Sequence, residues 1–181
     1  MLTTYNLKMP HAVYGGDNAM DNITDILKAQ GTKKVAMFTD KGIKAAGLFA
    51  LPEEAVKAAG ADYYVLDDLP AEPSYMAVQK LVDTFKESGA DMIVACGGGS
   101  VMDAAKLASV LVTDEYGVKE LLDDPGRAKK CVPVIMIPTT AGTGAEVTPN
   151  AIVAVPEKEL KVGIVNPNMI PDHVILDARM I

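Results

Sequence analysis

The sequence predicts an α/β fold in which helices cover both faces of a mainly parallel sheet, and three observations support this. Short apolar runs of strand length alternate with helical patterns from residue 18 to residue 138. The strand runs are continuously apolar, which is typical of parallel strands buried on both faces. A turn of three glycines at residues 97–99 joins one apolar run directly to a helical pattern. Together they indicate repeated strand, loop and helix units.

Each predicted strand is an apolar run that stops where polar residues return. These runs cover residues 35–39, 63–66, 92–96, 134–137 and 174–177. The predicted helices repeat apolar residues at intervals of three and four, and they cover residues 18–30, 53–59, 74–88 and 101–111. Ser74 is expected to cap the third helix, and Gly89 to end it. The order of these elements is that of a doubly wound sheet.

The two ends of the chain depart from this alternation. Residues 12–14 form a short predicted strand before a glycine pair, which is either an edge strand or an arm. Near the other end, residues 152–155 and 160–165 flank a polar turn and predict a β-hairpin. We therefore predict one dinucleotide-binding domain over residues 1–181, with a possible N-terminal arm at 1–16 and a hairpin extension at 149–181.

Composition narrows the classes of partner. The chain has 181 residues with 17 basic and 24 acidic side chains, a net charge of −7, and no long basic run. Nucleic acids and anionic membranes are therefore excluded as main partners, and a small-molecule ligand is expected. No apolar run approaches the ~18 residues needed to span a bilayer, and no signal peptide is recognisable, so a cytoplasmic protein is expected. The charges of the polar stretch 113–130 are expected to form a solvated surface.

The two cysteines, Cys96 and Cys131, lie far apart in the sequence and form no CxxC pair. We expect both to be core thiols rather than a disulfide or a redox motif. His11 and His173 lie at opposite ends of the chain, and no cluster of His, Asp or Glu has the spacing of a metal site. No serine has a plausible histidine partner, so the sequence alone contains no complete catalytic centre and predicts no catalytic residue.

The glycine turn is the first candidate binding site. Gly97, Gly98 and Gly99 allow close approach of a ligand to the backbone and permit a positive φ where the chain reverses. Ser100 is the predicted N-cap, and Asp103 three residues later completes a capping signature. The N-terminus of this helix would favour an anion such as a phosphate. A purely structural turn is the alternative, because the third glycine of the G-x-G-x-x-G fingerprint is absent.

Two further segments fall at predicted carboxyl ends of strands, where ligands of parallel sheets bind. Asp40 ends one strand, in the manner of a ribose-binding acid, although it precedes the glycine turn instead of following it by about 20 residues. The loop at 139–148 contains four threonines, Thr139, Thr140, Thr143 and Thr148, which either donate to a nucleotide or satisfy their own backbone. Lys106, three residues after Asp103, is expected to form a modest ion pair on the helix surface.

The glycine turn and the threonine loop together carry a recognisable pattern. Gly97-Gly98-Gly99-Ser100-x-x-Asp103-x-Ala105-Lys106 followed by the string from Pro138 to Thr148 closely resembles the iron-containing (group III) alcohol dehydrogenase family. The resemblance spans nearly the whole chain and includes the strand that ends in Thr39-Asp40-Lys41-Gly42. It implies a Rossmann-like N-terminal nucleotide-binding domain, an all-helical C-terminal domain, and a cleft where NAD(P) meets a small alcohol or aldehyde.

The resemblance also implies roles for particular residues. The turn at Gly97, with Gly98, Gly99 and Ser100, would hold the pyrophosphate. Thr139, Thr140, Thr143 and Thr148 would surround the adenine and its ribose. Asp40 would bind the adenosine ribose hydroxyls and favour NAD over NADP, and Lys161 would reach the nicotinamide ribose. Glu72 is a departure, because it stands where many members of the family have an asparagine that contacts the cofactor.

The family's metal ligands, an aspartate and three histidines that hold Fe²⁺ or Zn²⁺, belong to the helical domain and are expected after residue 181. The resemblance therefore implies the cofactor-binding half of an NAD-dependent alcohol dehydrogenase that would lack turnover as an isolated or truncated domain. Two alternatives stay open, namely a stand-alone nucleotide-binding module and a relative of the glycerol dehydrogenase or dehydroquinate synthase type. Family members are often dimers joined through N-terminal strands, so residues 1–16 either pair across chains or fold back on their own sheet.

Overall fold

A computed structural model describes residues 4–113 and 115–181, and its centre is a six-stranded parallel sheet. In chain order the strands of this sheet are β1 (Ala12–Gly15), β2 (Lys34–Phe38), β3 (Asp62–Leu66), β4 (Met92–Gly97), β5 (Val134–Pro138) and β8 (His173–Leu176). Their spatial order is β1-β8-β5-β4-β2-β3, and every neighbouring pair is parallel. The predicted strands and the predicted fold class are confirmed.

Helices cover both faces of the sheet. They are α1 (Asp21–Ala29), α2 (Lys41–Ala45), α3 (Ala50–Ala58), α4 (Tyr75–Ser88), α5 (Gly99–Val110) and α6 (Val118–Asp123), with single 3₁₀ turns at Pro125–Arg127, Pro156–Lys158, Pro167–Met169 and Ala178–Met180. Alternate residues of each strand point to opposite faces. Ala36 and Phe38 of β2 thus join a core with α4 and α5, while Val35 and Met37 join a second core with α1 and α3.

Helix α4 has the cap, the end and the apolar face that the sequence predicted for it. The Ser74 hydroxyl accepts a hydrogen bond from the backbone N–H of Ala77 at 3.2 Å, so it caps the first turn as predicted. Gly89 ends the helix with φ +67°, the left-handed conformation that favours glycine. The inward face of the helix consists of Val78, Leu81, Val82 and Phe85, all of them buried.

The charged side chains of the stretch 113–130, of which residue 114 lies outside the described residues, are mostly exposed, as expected, but the stretch also contains a buried apolar face that sequence reasoning did not identify. Tyr116, Val118 and Leu121 are buried, and the Tyr116 hydroxyl donates to the carbonyl of Val110 at 2.8 Å. Val118 and Leu121 lie on one side of α6, which packs against α4. The apolar residues of this stretch are few and lie among many charges, so the six-residue helix was not identified from the sequence.

The N-terminal strand is an edge strand of its own sheet. β1 pairs in parallel with β8, with Ala12 opposite His173 and Gly15 opposite Leu176. Residues 12–15 of the segment 1–16 thus pair with their own sheet, residues 4–10 form no strand, and residues 1–3 lie outside the described residues. Pairing of this segment across chains stays a prediction. The same pairing brings the rings of His11 and His173 to 5.6 Å between centroids, although the sequence placed them at opposite ends. Burial lowers the pKa of the His173 imidazole.

The hairpin lies beside the sheet as a separate two-stranded unit. Its strands, β6 (Asn150–Val155) and β7 (Leu160–Val165), are antiparallel, as predicted. Ala151, Val153 and Ile164 of the hairpin are buried in the same core as α4 and α5. Helix α5 is therefore enclosed between the sheet and the hairpin, and every residue from Val101 to Val110 is buried.

A buried ion pair joins α5 to the hairpin. The Lys106 ammonium, with no solvent exposure, lies 3.4 Å from Asp103 Oδ1, 3.0 Å from Thr148 Oγ1 and 2.9 Å from the carbonyl oxygen of Asn150. Asp103 Oδ2 accepts the backbone N–H of Ile152 at 3.0 Å. The expected helix-surface pair is thus wrong, because the hairpin covers that side of α5 and turns both charges into the interior.

Burial perturbs both members of this pair. Desolvation lowers the pKa of Lys106 and raises the pKa of Asp103, and in each case the attraction between the two charges opposes the effect. Buried charges are tolerated only when they are paired and hydrogen-bonded. The remaining bonds of both groups go to residues 148–152, so the pair fixes where the hairpin begins relative to α5.

We expect Lys106→Met to lower the free energy of unfolding by about 3–5 kcal/mol, because it leaves the Asp103 carboxylate buried without its partner. Urea denaturation followed by circular dichroism measures this loss. Lys80→Met, at an exposed position of α4, is the matched control and should change stability by less than about 0.5 kcal/mol. The double variant Asp103→Leu/Lys106→Met should recover part of the loss. Equal stability of Lys106→Met and the control would contradict this account.

Candidate functional site

Three strand ends meet at one edge of the sheet. β4 lies between β2 and β5, and Gly97 at the end of β4 is opposite Pro138 at the end of β5. Asp40 therefore lies on one side of the glycine turn and the loop that begins at Thr139 on the other. The sheet topology builds the crevice that the sequence predicted from the positions of these segments.

The surroundings of the three glycines in the turn differ in how much space they leave for a Cβ atom. A Cβ atom at Gly97 would lie 2.7 Å from Cβ of Val101, so only glycine fits there. A Cβ atom at Gly99 would lie 3.1 Å from Cγ2 of Thr143. At Gly98 the nearest atom would be Cγ2 of Thr140 at 3.8 Å, which is an ordinary contact. The protein itself thus leaves room for a Cβ atom at Gly98.

Glycine permits a positive φ, but this turn does not use one. None of these three glycines is among the residues with positive φ in the described part of the chain, and Gly98 is extended with φ −81° and ψ −170°. Its lack of a side chain is therefore not a requirement of backbone conformation. What the missing Cβ provides at Gly98 is an open backbone surface for a ligand.

The predicted cap of α5 is also wrong. Gly98, not Ser100, is the N-cap, and no side chain caps the first turn. Asp103 takes no part in capping because its carboxylate is held by Lys106 and by the N–H of Ile152. The first N–H groups of a helix lack partners within the helix, so they can bind an anion here.

A cavity of about 420 Å³ lies between the glycine turn and the end of β2. Asp40 is half-buried in its wall, and its Oδ1 accepts the backbone N–H of Ile43 at 2.8 Å, which caps α2. A carboxylate has acceptor capacity on both oxygens, so Oδ2 remains for a ligand. The lining residues are Asp40, Lys41, Gly42, Leu69, Pro70, Ala71, Gly98, Gly99, Ser100 and Val101.

Sequence reasoning did not identify residues 69–71 as part of this wall. They follow β3, which is the edge strand next to β2. The signal was present in the sequence as Leu69-Pro70 directly after a predicted strand. It could be used only with the strand order, because that order puts the end of β3 beside Asp40.

A second cavity, of about 300 Å³, shares Gly99 and Ser100 with the first. Asp103, Thr143, Ile152 and Ala154 form its wall together with Glu72, Pro73 and Lys161. Lys161 Nζ forms an ion pair with Glu72 Oε1 at 2.7 Å, and this contact lowers the pKa of the Glu72 carboxyl. The two cavities therefore flank the start of α5, one on the Asp40 side and one on the Lys161 side.

The four threonines of the 139–148 loop separate into different positions. Thr140 borders Gly98, and Thr143 borders Gly99 and lines the second cavity. The backbone N–H of Thr139 donates to the carbonyl of Gly97 at 3.1 Å and so fixes the start of the loop. The hydroxyl of Thr148 accepts from Lys106 and lies behind the cavity wall. Their binding roles stay predictions.

The thiols lie outside this chemistry. Cys96 is fully buried at the end of β4, and burial, with a smaller effect of Asp40, raises the pKa of its thiol to about 12. Cys131 is only partly buried, so the expectation of a core thiol is wrong for it.

No group of three or more His, Cys, Asp or Glu side chains within residues 4–113 and 115–181 could hold a metal ion. No helix among these residues is long and apolar enough to cross a membrane.

Comparison with known proteins places this site in a family. The profile of the iron-containing alcohol dehydrogenases matches residues 10–178. Lactaldehyde reductase of Escherichia coli is 35% identical over 167 residues, which cover 91% of this chain and 44% of that protein. The chain thus spans less than half the length of this curated relative.

Solved structures agree over the whole chain. The crystal structure of a 1,3-propanediol oxidoreductase matches with a TM-score of 0.89 and 25% identity, covering 99% of this chain and 47% of that one. A sulfoacetaldehyde reductase from Bifidobacterium kashiwanohense, solved in complex with NAD⁺, matches with a TM-score of 0.87 and 25% identity, covering 98% and 47%. The parallel sheet, the glycine turn and the profile match all agree, and the chain belongs to the iron-containing alcohol dehydrogenase family.

Proposed function

We propose that this chain binds NAD across the two cavities, with the diphosphate at the start of α5. The observation that carries this proposal is the uncapped N-terminus of α5, where Gly98 presents an open backbone to the first cavity and Gly99 and Ser100 line both cavities. A dinucleotide has the same arrangement, a central anion between two nucleosides. The NAD⁺ complex of the sulfoacetaldehyde reductase supports the choice of this ligand.

Asp40 orients the first nucleoside. Its carboxylate lies at the end of the strand beside the glycine turn. An acidic side chain at this position accepts hydrogen bonds from the ribose hydroxyls of a dinucleotide. Oδ1 is fixed by the N–H of Ile43, so the carboxylate is held in one orientation. A 2′-phosphate at this position would meet its negative charge, and NADP should bind more weakly than NAD.

We further propose that the whole protein is an alcohol dehydrogenase or aldehyde reductase, and that this chain is its cofactor-binding domain. Bound NAD would accept a hydride from a small alcohol, or NADH would donate one to an aldehyde. The residues of this chain hold and orient the dinucleotide, with Lys161 and Thr143 facing its second half. The described residues do not fit the Fe²⁺ or Zn²⁺ site of the family, so no step through a metal is assigned to them.

A stand-alone nucleotide-binding module is the second candidate, favoured by the absence of a metal-ligand cluster from the described residues. An open reading frame that continues into a histidine-rich helical region would identify the chain as the domain of an enzyme and would argue against a stand-alone module. Both proposals expect no turnover from this chain alone, and adding Fe²⁺, NAD and a panel of short alcohols to it tests that shared expectation. Turnover, seen as NADH absorbance, would show that the chain itself completes a catalytic centre, contrary to our proposal.

A homodimer through residues 1–16 and a cytoplasmic location stay predictions.

We expect Gly98→Val to weaken NADH binding by at least about tenfold, because its side chain would fill the space needed by the diphosphate. The space at Gly98 within the protein makes a folding defect unnecessary to explain such a loss. Fluorescence titration with NADH measures the affinity, and a thermal melt checks that the variant is folded. Gly142→Ala is the control, since a Cβ atom there meets nothing within 4 Å.

Gly97→Ala should behave differently from both of these variants. Its Cβ would collide with Val101, so it should lower stability first, whatever ligand is present. If Gly98→Val bound NADH as tightly as the unchanged chain does, the glycine turn would be purely structural and the proposed site would be wrong.

We expect Asp40→Asn to raise NADPH affinity relative to NADH by about tenfold or more, because it removes the charge that would oppose a 2′-phosphate. Asparagine caps helices about as well as aspartate, so α2 should be retained. Parallel fluorescence titrations with the two cofactors give the ratio. Asp25→Asn, on the exposed side of α1, makes the same charge change elsewhere and should leave the ratio unchanged. An unchanged ratio in Asp40→Asn would remove Asp40 from the ribose site.

A further inference from the structure

Glu72 and Lys161 form an ion pair in the wall of the second cavity. Both side chains line the cavity, and both are largely exposed, with relative side-chain exposures of 71% and 53%. Lys161 carries the only positive charge among the lining residues, all of which are described. An ammonium offers three hydrogen-bond donors, so it is the natural partner for ligand oxygens in this cavity.

The backbone holds the two side chains opposite each other. The N–H of Ala154 donates to the carbonyl of Pro73 at 3.0 Å, and Ser74 forms an isolated bridge with Ala154. Ala154 is in turn the hairpin partner of Lys161. The loop that carries Glu72 is therefore fixed to the strand next to Lys161, and their contact follows from this attachment.

The backbone of Glu72 is itself unusual. Its φ is +50°, a left-handed conformation that is uncommon for residues other than glycine, asparagine and aspartate. Strained conformations of this kind persist where the surroundings fix them, as the anchors on Pro73 and Ser74 do here. This conformation holds the Glu72 carboxylate at the rim of the cavity, facing Lys161.

We propose that Glu72 is a specificity-determining residue that competes with the second ribose of a dinucleotide for the ammonium of Lys161. This inference rests on the proposed function. With the adenosine on the Asp40 side and the diphosphate at Gly98, the second ribose enters the cavity lined by Lys161. Its hydroxyl oxygens can accept hydrogen bonds from the Lys161 ammonium only when Glu72 is displaced. Glu72 therefore weakens dinucleotides and leaves ligands that end at the diphosphate unaffected.

The expected effect is small and measurable. Exposed ion pairs are weak, so releasing Lys161 should strengthen dinucleotide binding by about two- to fivefold. Glu72→Gln removes the charge and keeps the size of the side chain. ADP is the ligand that ends at the diphosphate, and ADP-ribose adds the second ribose to the terminal phosphate, which thereby loses one negative charge. Removing the charge of Glu72 would by itself favour ADP, so a rise in the affinity for ADP-ribose relative to ADP reports the contact with Lys161.

The experiment is a competition titration in which ADP and ADP-ribose displace NADH from the full 181-residue chain. In Glu72→Gln, the affinity for ADP-ribose relative to ADP should rise about two- to fivefold. Asp68→Asn is the matched control, because it lies in the same loop and frees Lys41 in the first cavity. It should change both affinities by the same factor. In a Lys161→Met background, Glu72→Gln should not raise the ratio.

The outcomes separate the two proposals. An unchanged or lower ratio in Glu72→Gln, with ADP still bound, overturns the role of Glu72 and leaves the cofactor site intact. A rise that persists in the Lys161→Met background also overturns it, since the effect would then not depend on Lys161. If neither ADP nor NADH binds to any of the variants or to the unchanged chain, the proposed function fails and the inference fails with it.

Discussion

The pairing of Asp103 with Lys106 is the constraint on which the site depends. Both charges leave water when the hairpin covers α5, and only their mutual contact and the groups at residues 148–152 compensate for that loss. Asp103 is itself part of the wall of the second cavity. The interaction that fixes the hairpin therefore also forms part of the surface that the hairpin and α5 enclose, so folding and ligand binding share these atoms.

In the glycine turn, packing of the fold and the proposed ligand binding depend on different neighbouring residues. Gly97 is required by packing against Val101, and Gly99 stands close to Thr143, so both serve the fold. Gly98 has no comparable neighbour, and its backbone is open to the first cavity. The motif thus has a packing position on each side of the glycine that we propose as the binding position. This division is why the effects of substitutions at Gly97 and Gly98 can be told apart.

The sequence predicted the sheet and most helices because their signals are local. Continuous apolar strands and the cap at Ser74 depend on neighbours in the chain, and they appear where expected. Two of the failures depend on partners distant in sequence. Asp103 takes no part in a cap of α5 because Lys106 and the N–H of Ile152 hold its carboxylate, and Lys106 is interior because residues 148–152 cover it. Periodicity contains no information about which residues will lie above a helix.

The two halves of the candidate site differ in how completely this chain supplies them. The Asp40 cavity is enclosed by strand ends, α2 and the loop after β3, and its carboxylate is already fixed by the N–H of Ile43. The other cavity offers one cation, and that cation is held by Glu72. In the proposed function, the first nucleoside and the diphosphate bind without breaking the ion pair between Glu72 and Lys161, while the second nucleoside must break it. We therefore expect the Asp40 side and Gly98 to set the affinity for a dinucleotide, and Glu72 and Lys161 to determine how much the second nucleoside adds.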